Sequence, residues 1–228
     1  MAMTTDPARS GLDQHPAKGL KTPRAAAAAG ILFSVLLLTS LFLLLDTVRL
    51  DPRDPGDWLG PQSWKVALAL NLIPFAGIAF LWFVGVLRDR MGAAEDKLFA
   101  TVFLGSGLLF IGLLFVSASS IGAILIAYSA LPRDMPGSVT FMLARSLAYH
   151  LTSIYALKMA GVFLMTASTI VLRTGIAARV TAIIGYIAAA IILIGSQFMD
   201  WTVIIFPVWV FIVSVDILIR EARSRATS

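Results

Sequence analysis

Long apolar stretches separated by short polar segments restrict this chain to very few folds. An α-helix needs about 20 apolar residues to cross the hydrocarbon core of a bilayer. The chain is 58% hydrophobic with a mean hydropathy of +0.87, which is more apolar surface than a water-soluble domain can bury. We therefore expect an all-α, polytopic membrane helix bundle with about six transmembrane helices in a lipid bilayer. The apolar stretches are Ala25–Leu45, Val66–Leu87, Leu98–Leu131, Ser138–Leu172, Val180–Phe198 and Trp201–Ile219.

The two ends of the chain are polar. Residues 1–24 contain Pro7, Pro16 and Pro23 and lack apolar periodicity, so we expect a disordered tail. The predicted organisation is a disordered cytoplasmic tail over 1–24, a transmembrane helix bundle over 25–219 and a cytoplasmic C-terminal tail over 220–228.

The distribution of basic residues predicts the orientation of the chain in the membrane. Cytoplasmic loops of membrane proteins are enriched in Lys and Arg. With the N-terminus in the cytoplasm, the inner segments hold 12 of the 18 Lys and Arg residues and the outer segments hold 5, while Lys158 lies within a span. This asymmetry predicts that both termini are cytoplasmic, which agrees with an even number of spans.

The third and fourth apolar stretches are too long for one crossing and too short for two. Leu98–Leu131 has 34 residues. As a helix it is about 51 Å long, whereas the hydrocarbon core is about 30 Å thick. We expect a helical hairpin that projects past the outer membrane face or lies along it; a strongly tilted, broken helix is the alternative. The apolar segment Ile121–Leu131 then needs to be covered by the fourth helix, the first loop, lipid or another subunit.

Polar residues within the spans collect toward the outer end. A buried ammonium group such as that of Lys158 costs about 2.5–3.5 kcal/mol on insertion scales and by default has a partner. The functional hypothesis is an outward-facing pocket in which Lys158, Asn71 and Tyr155 bind a small polar or anionic ligand. In the alternative interpretation, Lys158 extends to the outer headgroups or pairs with Asp46 or Asp200.

A polar arc on the fourth helix extends this candidate site. At 100° per residue, an arc of about 160° holds six polar residues. These are Arg145, Ser146, Tyr149, His150, Thr152 and Ser153. The candidate ligand-binding residues are therefore Lys158, Asn71, Tyr155, Asp200, His150 and Arg145.

Asp216 is the only acidic residue inside a predicted span. It lies four residues before Arg220 near the inner membrane face, so an i,i+4 ion pair explains its presence. A proton-relay role is the alternative. Because Lys158 lies near the opposite face, we do not expect the two charges to pair.

The composition argues against several classes of function. The chain has no cysteine and two histidines, one of them in the N-terminal tail. Disulfides and iron–sulfur clusters are thereby excluded. The sequence has no visible catalytic set, metal-ligand pattern or phosphate-binding loop, and no basic stripe that would indicate nucleic-acid binding. We therefore expect neither an enzyme nor a cofactor.

Three functional hypotheses follow from these features, of which an intramembrane enzyme ranks last because no catalytic set is visible. The first is a non-catalytic membrane component that binds a membrane protein partner or forms a homo-oligomer through the outer hairpin. The alternative is a small-molecule or ion transporter, or a channel-like protein, with an outward-facing polar pocket near Lys158.

Two segments also carry a resemblance to other proteins. Phe80–Phe110 (FLWFVGVLRDRMGAAEDKLFATVFLGSGLLF) and Leu172–Ile194 (LRTGIAARVTAIIGYIAAAIILI) resemble bacterial six-helix integral membrane proteins of similar length with no assigned activity. The resemblance covers most of residues 25–220. It implies a multi-pass protein of a bacterial plasma membrane, and it implies no residue roles.

Overall fold

Six α-helices make up most of the structure. The computed structural model describes residues 23–48, 56–89, 97–196, 199 and 201–226. Five helices are long and apolar enough to cross a membrane, and the remaining one, α5, has 17 residues. By helix length and hydropathy the chain is a multi-pass, all-α membrane protein, as the apolar stretches predict. The helices are α1 (Pro23–Thr47), α2 (Ser63–Asp89), α3 (Lys97–Ala130), α4 (Val139–Thr174), α5 (Arg179–Gly195) and α6 (Thr202–Ala226).

The helix ends agree with the apolar stretches to within a few residues, with one exception. α6 continues to Ala226, well beyond the predicted end of the span at Ile219. Two ion pairs lie where this continuation begins, and they join its first turn to α1 and to the preceding turn of α6. The pairs are Glu221 with Arg24 and Arg220 with Asp216. Of the predicted N-terminal tail, residues 1–22 lie outside the described residues.

The helices form a closed ring in chain order. Each helix packs against the next one in the sequence, and α1 also packs against α6. We call the end that carries the α1–α2, α3–α4 and α5–α6 connections the distal end, and the opposite end the terminal end. Lys65 and Asp46 form an ion pair of 3.1 Å between α2 and α1 at the distal end.

Aromatic rings from five helices meet inside the ring of helices. Phe80 has its ring centroid 4.8–5.8 Å from those of the other four residues, in tilted and edge-to-face arrangements. Aromatic pairs favour these geometries. All five side chains are buried, and we call them the phenylalanine layer. Its members are Phe33 of α1, Phe80 of α2, Phe110 of α3, Phe163 of α4 and Phe206 of α6.

Small residues allow close contact between helices outside this layer. A side chain at Gly30 of α1 would overlap the hydroxyl of Ser214 in α6. A side chain at Gly185 of α5 would overlap both Ser168 of α4 and the indole of Trp209 in α6. Membrane helices often pack through such small residues, because lipid provides no hydrophobic force that would drive larger side chains together.

The over-long α3 and α4 pair with each other and share a second core at the distal end. The 3-10 helix Asp57–Leu59 places Trp58 and Leu59 against the hairpin, where they are buried together with Ile124 and Phe141. The fourth helix and the first loop therefore cover one side of the predicted apolar segment. Its other side remains uncovered, since Ile126 is 73% exposed.

Candidate functional site

The ammonium group of Lys158 lies against the end of α5. Its Nζ donates a hydrogen bond to the backbone carbonyl of Leu193, close to the end of α5 at Gly195. The last carbonyls of a helix lack partners within the helix and carry the negative end of its dipole. Lys158 therefore caps the C-terminus of α5. Of the acids that the sequence suggests as its partner, Asp46 pairs with Lys65 instead.

The carboxylate of Asp216 holds the opposite end of α5. It accepts hydrogen bonds from the backbone N–H of Ala178, which precedes α5, and from the hydroxyl of Thr181 at 3.2 Å. Nε of Arg220 donates to the same carboxylate at 3.1 Å, which confirms the predicted i,i+4 pair. A negative charge at a helix N-terminus is favourable, so Asp216 also caps α5, a role that the sequence does not indicate.

Charged side chains from α4 and α6 thus hold both ends of the shortest helix. The 17 residues of α5 give a length of about 26 Å, slightly less than the hydrocarbon core of about 30 Å. The first N–H and last C=O groups of a helix have no partner within the helix. Lys158 and Asp216 supply partners at the two ends of α5, which gives both charges a structural role.

Two further candidates, Asn71 and Tyr155, lie on the outside of the bundle. The exposed Asn71 side chain donates to the carbonyl of Ala67 within α2 at 2.8 Å, and Tyr155 is 58% exposed. Among the hydrogen bonds of the described residues, none joins Lys158, Asn71 and Tyr155. A shared site for these three side chains stays a prediction.

His150 is not among the residues that line the cavity described next. The exposed His150 ring stands edge-on to Tyr149, with 5.7 Å between ring centroids. Asp200 lies outside the described residues. Of the six candidates, Arg145 is the one that lines the cavity described next.

A cavity of about 130 Å³ lies within the ring of helices toward its distal end. We call it the distal cavity. Residues of α1, α3, α4 and α6 line it, and the α1 wall is entirely apolar. That wall consists of Leu41, Leu44, Leu45 and Val48.

The opposite wall is polar and comes from the predicted arc of α4. Arg145, Tyr149, Thr152 and Ser153 line the cavity together with Ser117 of α3. Ser117 Oγ donates to the carbonyl of Ala148 at 2.9 Å and shares a hydrogen bond of 2.7 Å with Thr152 Oγ1. The Arg145 side chain is buried, and its guanidinium carbon lies 6.0 Å from the centre of the Phe141 ring. The surface of the cavity is mostly apolar, with hydroxyl groups and the buried Arg145 on its α4 side.

The backbone of α4 changes its winding at this cavity. Leu151–Ala156 is a π-helical segment within the otherwise α-helical α4. Thr152 and Ser153 of this segment line the cavity. π-Helical segments are rare and occur frequently at functional sites. The residue pattern of α4 contains no signal for this change.

The phenylalanine layer lies on the terminal side of the cavity. Val203 lines the cavity and precedes Phe206 of the layer by about 4.5 Å of helix rise. Ser117 follows Phe110 by about 10 Å of rise along α3 in the distal direction. The packed rings thus separate the cavity from the terminal end, and a ligand has access from the distal end or between the helices.

Neither a metal site nor a known relative indicates an activity. Within the part of the chain that the structure describes, no group of three or more His, Cys, Asp or Glu side chains could hold a metal ion. The resemblance to bacterial six-helix membrane proteins stays a prediction. No protein-family model, curated protein or solved structure matches the chain.

Proposed function

We propose that this protein is a non-catalytic component of a bacterial plasma membrane that self-associates through the distal part of its α3–α4 hairpin. In this proposal the chain crosses the membrane six times, with both termini in the cytoplasm and the distal end outside. An exposed apolar stripe on α4 carries the proposal. The stripe consists of Val139, Met142, Leu143 and Leu147, which are 48–81% exposed.

The length of α4 supports a position of this stripe outside the hydrocarbon core. α4 has 36 residues, about 54 Å, and about 20 of them suffice to cross the core. If the core begins near Arg173 at the terminal end, it ends near Ser153. The stripe then lies in the headgroup layer and beyond it, where acyl chains cannot cover it, and a second copy of the hairpin is the occupant that we propose.

The positions of the basic residues support the orientation. Exposed basic residues gather at the terminal end, as expected of the cytoplasmic side. They include Arg88, Lys97, Arg173, Arg179 and Arg220. The described basic residues at the distal end are Lys65, Arg133 and Arg145.

Single-cysteine labelling tests the orientation, because the chain has no native cysteine. Asp134 and Thr174 are exposed at opposite ends of α4. We expect a membrane-impermeant maleimide to label the Asp134→Cys variant in intact cells. The same reagent should label the Thr174→Cys variant only after the cells have been permeabilised. A C-terminal tag should likewise become accessible to protease after permeabilisation. The reverse pattern at either cysteine would contradict the orientation.

Oxidative cross-linking in native membranes tests self-association. The Leu143→Cys variant is expected to form a disulfide-linked dimer in high yield, because the stripe of one copy faces that of another. The control is Ile194→Cys on α5, which is 75% exposed and also lies toward the distal end. We expect little dimer from this variant.

A charge in the stripe gives a second readout. Leu143→Glu should convert the purified protein to monomers in mild detergent, as measured by its mass in solution. Equal cross-linking of the Leu143→Cys and Ile194→Cys variants, combined with an unchanged mass of Leu143→Glu, would contradict self-association. Cross-linking of Leu143→Cys to a different protein would identify a membrane partner in place of a second copy.

Two observations weigh against the alternative of a transporter or channel. Lys158, on which that hypothesis depends, is engaged as the cap of α5. The phenylalanine layer fills the middle of the ring of helices, where a conducting path would run. We therefore rank the transport hypothesis below self-association. Solute flux in proteoliposomes that depends on Lys158 would support the transport hypothesis.

A further inference from the structure

We propose that the distal cavity binds an anionic phospholipid, with the phosphate beside Arg145 and the first part of an acyl chain along the α1 wall. The proposal goes beyond self-association and does not depend on it. It stands on a buried cation, an apolar wall opposite to it, and the level of the cavity in the membrane.

The cation points to an anionic group. Arg145 is 8% exposed and lines the cavity. A guanidinium group presents five N–H donors in a planar fork, so it can hold a phosphate while it keeps contacts to the protein. The hydroxyl group of Ser153 stands in the same wall and suits a phosphate or glycerol oxygen. The hydroxyl protons of Ser117 and Thr152 are used within the wall, in the bonds to the Ala148 carbonyl and to Ser117.

The apolar wall points to a lipid and not to a soluble anion. All the side chains of the α1 wall are apolar, and Val203 and Ile121 extend this apolar surface. A small hydrated anion would leave it in contact with water, whereas an acyl chain would cover it. The volume of about 130 Å³ is several times the roughly 30 Å³ that a water molecule takes in the liquid. It therefore accommodates a short part of a chain, and the rest of the lipid lies along the helices.

The cavity straddles the expected edge of the hydrocarbon core. Its α1 wall runs from Leu41, within the apolar stretch, to Val48. Between them lies Asp46, whose ion pair with Lys65 marks the polar side of this edge. A phospholipid of the distal leaflet has its phosphate at this level and its chains directed into the bilayer. A mostly apolar cavity with Arg145 on one side matches that arrangement.

Lipid titration followed by native mass spectrometry of the full-length protein in neutral detergent tests the proposal. The probes are phosphatidylglycerol and phosphatidylcholine with identical chains. The first molecule of phosphatidylglycerol should bind with an affinity about tenfold higher than that of phosphatidylcholine. Arg145→Gln should reduce this difference in affinity to within about twofold. Arg133→Gln removes the same charge from the exposed α3–α4 connection, and we expect it to keep the preference.

A cavity-filling variant separates the cavity from the charge. Val203→Phe leaves Arg145 in place and should weaken the binding of the first phosphatidylglycerol by about tenfold, because the ring takes the place of the acyl chain. If the melting temperature of Arg145→Gln shows that this variant does not fold, Val203→Phe alone tests whether the lipid binds in the distal cavity. Loss of the tight site in Val203→Phe then supports the proposal, and an unchanged site overturns it.

The remaining outcomes distinguish a lipid in the cavity from a soluble anion and from a lipid on the surface of the helices. Equal affinity for the two lipids, or an unchanged preference in folded Arg145→Gln, would overturn the proposal. Displacement of bound lipid by millimolar inorganic phosphate would overturn it in favour of a soluble anion. A preference that depends on Arg145 but persists in Val203→Phe would place the lipid on the surface of the helices and not in the cavity.

Discussion

Replacing Phe80 with alanine is expected to lower the free energy of unfolding by about 3–5 kcal/mol. Phe80 is 0% exposed, and its ring contacts the four other rings of the phenylalanine layer. Each of those rings belongs to a different helix, so they cannot all move inward to fill the space that alanine leaves. Unfolding in mixed micelles with increasing fractions of sodium dodecyl sulfate, followed by circular dichroism, measures the change.

Phe42 provides the matched control for this substitution. Its side chain is 73% exposed on the outside of α1, so Phe42→Ala removes the same atoms from a lipid-facing position. We expect a change below about 1 kcal/mol, since no packed cavity results. Equal effects of Phe80→Ala and Phe42→Ala would show that the phenylalanine layer does not hold the helices together.

Removing either charged cap of α5 is expected to lower the free energy of unfolding by about 1–3 kcal/mol. Lys158→Met leaves the carbonyl of Leu193 without its ammonium partner. Asp216→Ala leaves the N–H of Ala178 and the guanidinium of Arg220 without their carboxylate. The same unfolding titration in mixed micelles measures both changes.

The double variant tests whether the two caps act separately. Lys158 and Asp216 hold opposite ends of α5, about 26 Å apart by helix rise, so their effects should add. Lys65→Met disrupts the partly exposed pair with Asp46 and should cost about 0–1 kcal/mol. An unchanged stability of Lys158→Met would contradict the capping role.

The helices of this protein are largely predictable from its sequence. Apolar stretches of this length have one stable conformation in lipid, because a helix satisfies every backbone hydrogen bond internally. That α3 and α4 are longer than one membrane crossing requires is equally predictable, since it follows from counting the residues of each apolar stretch. The continuation of α6 to Ala226 is not visible in the hydropathy, because the apolar stretch ends at Ile219. Its ion pair between Glu221 and Arg24 of α1 is a tertiary contact.

The candidate site is predictable in part. The polar arc of α4 lines the distal cavity through Arg145, Tyr149, Thr152 and Ser153, because helical periodicity places these residues on one face. The partner of Lys158 could not be predicted, since it is a backbone carbonyl, and every residue of the chain has one. The π-helical segment Leu151–Ala156 also lacks a signal in the residue pattern.

The sequence by itself determined that the chain is a membrane protein, that it is helical and how many helices it has, because these properties depend on the hydropathy of each segment alone. The tertiary structure decided which apolar faces turn inward. In a membrane both the interior of the bundle and its surroundings are apolar, so buried Phe80 and exposed Phe75 look alike in the sequence. Specific contacts between helices distinguish them, and the same contacts create the phenylalanine layer, the caps of α5 and the distal cavity.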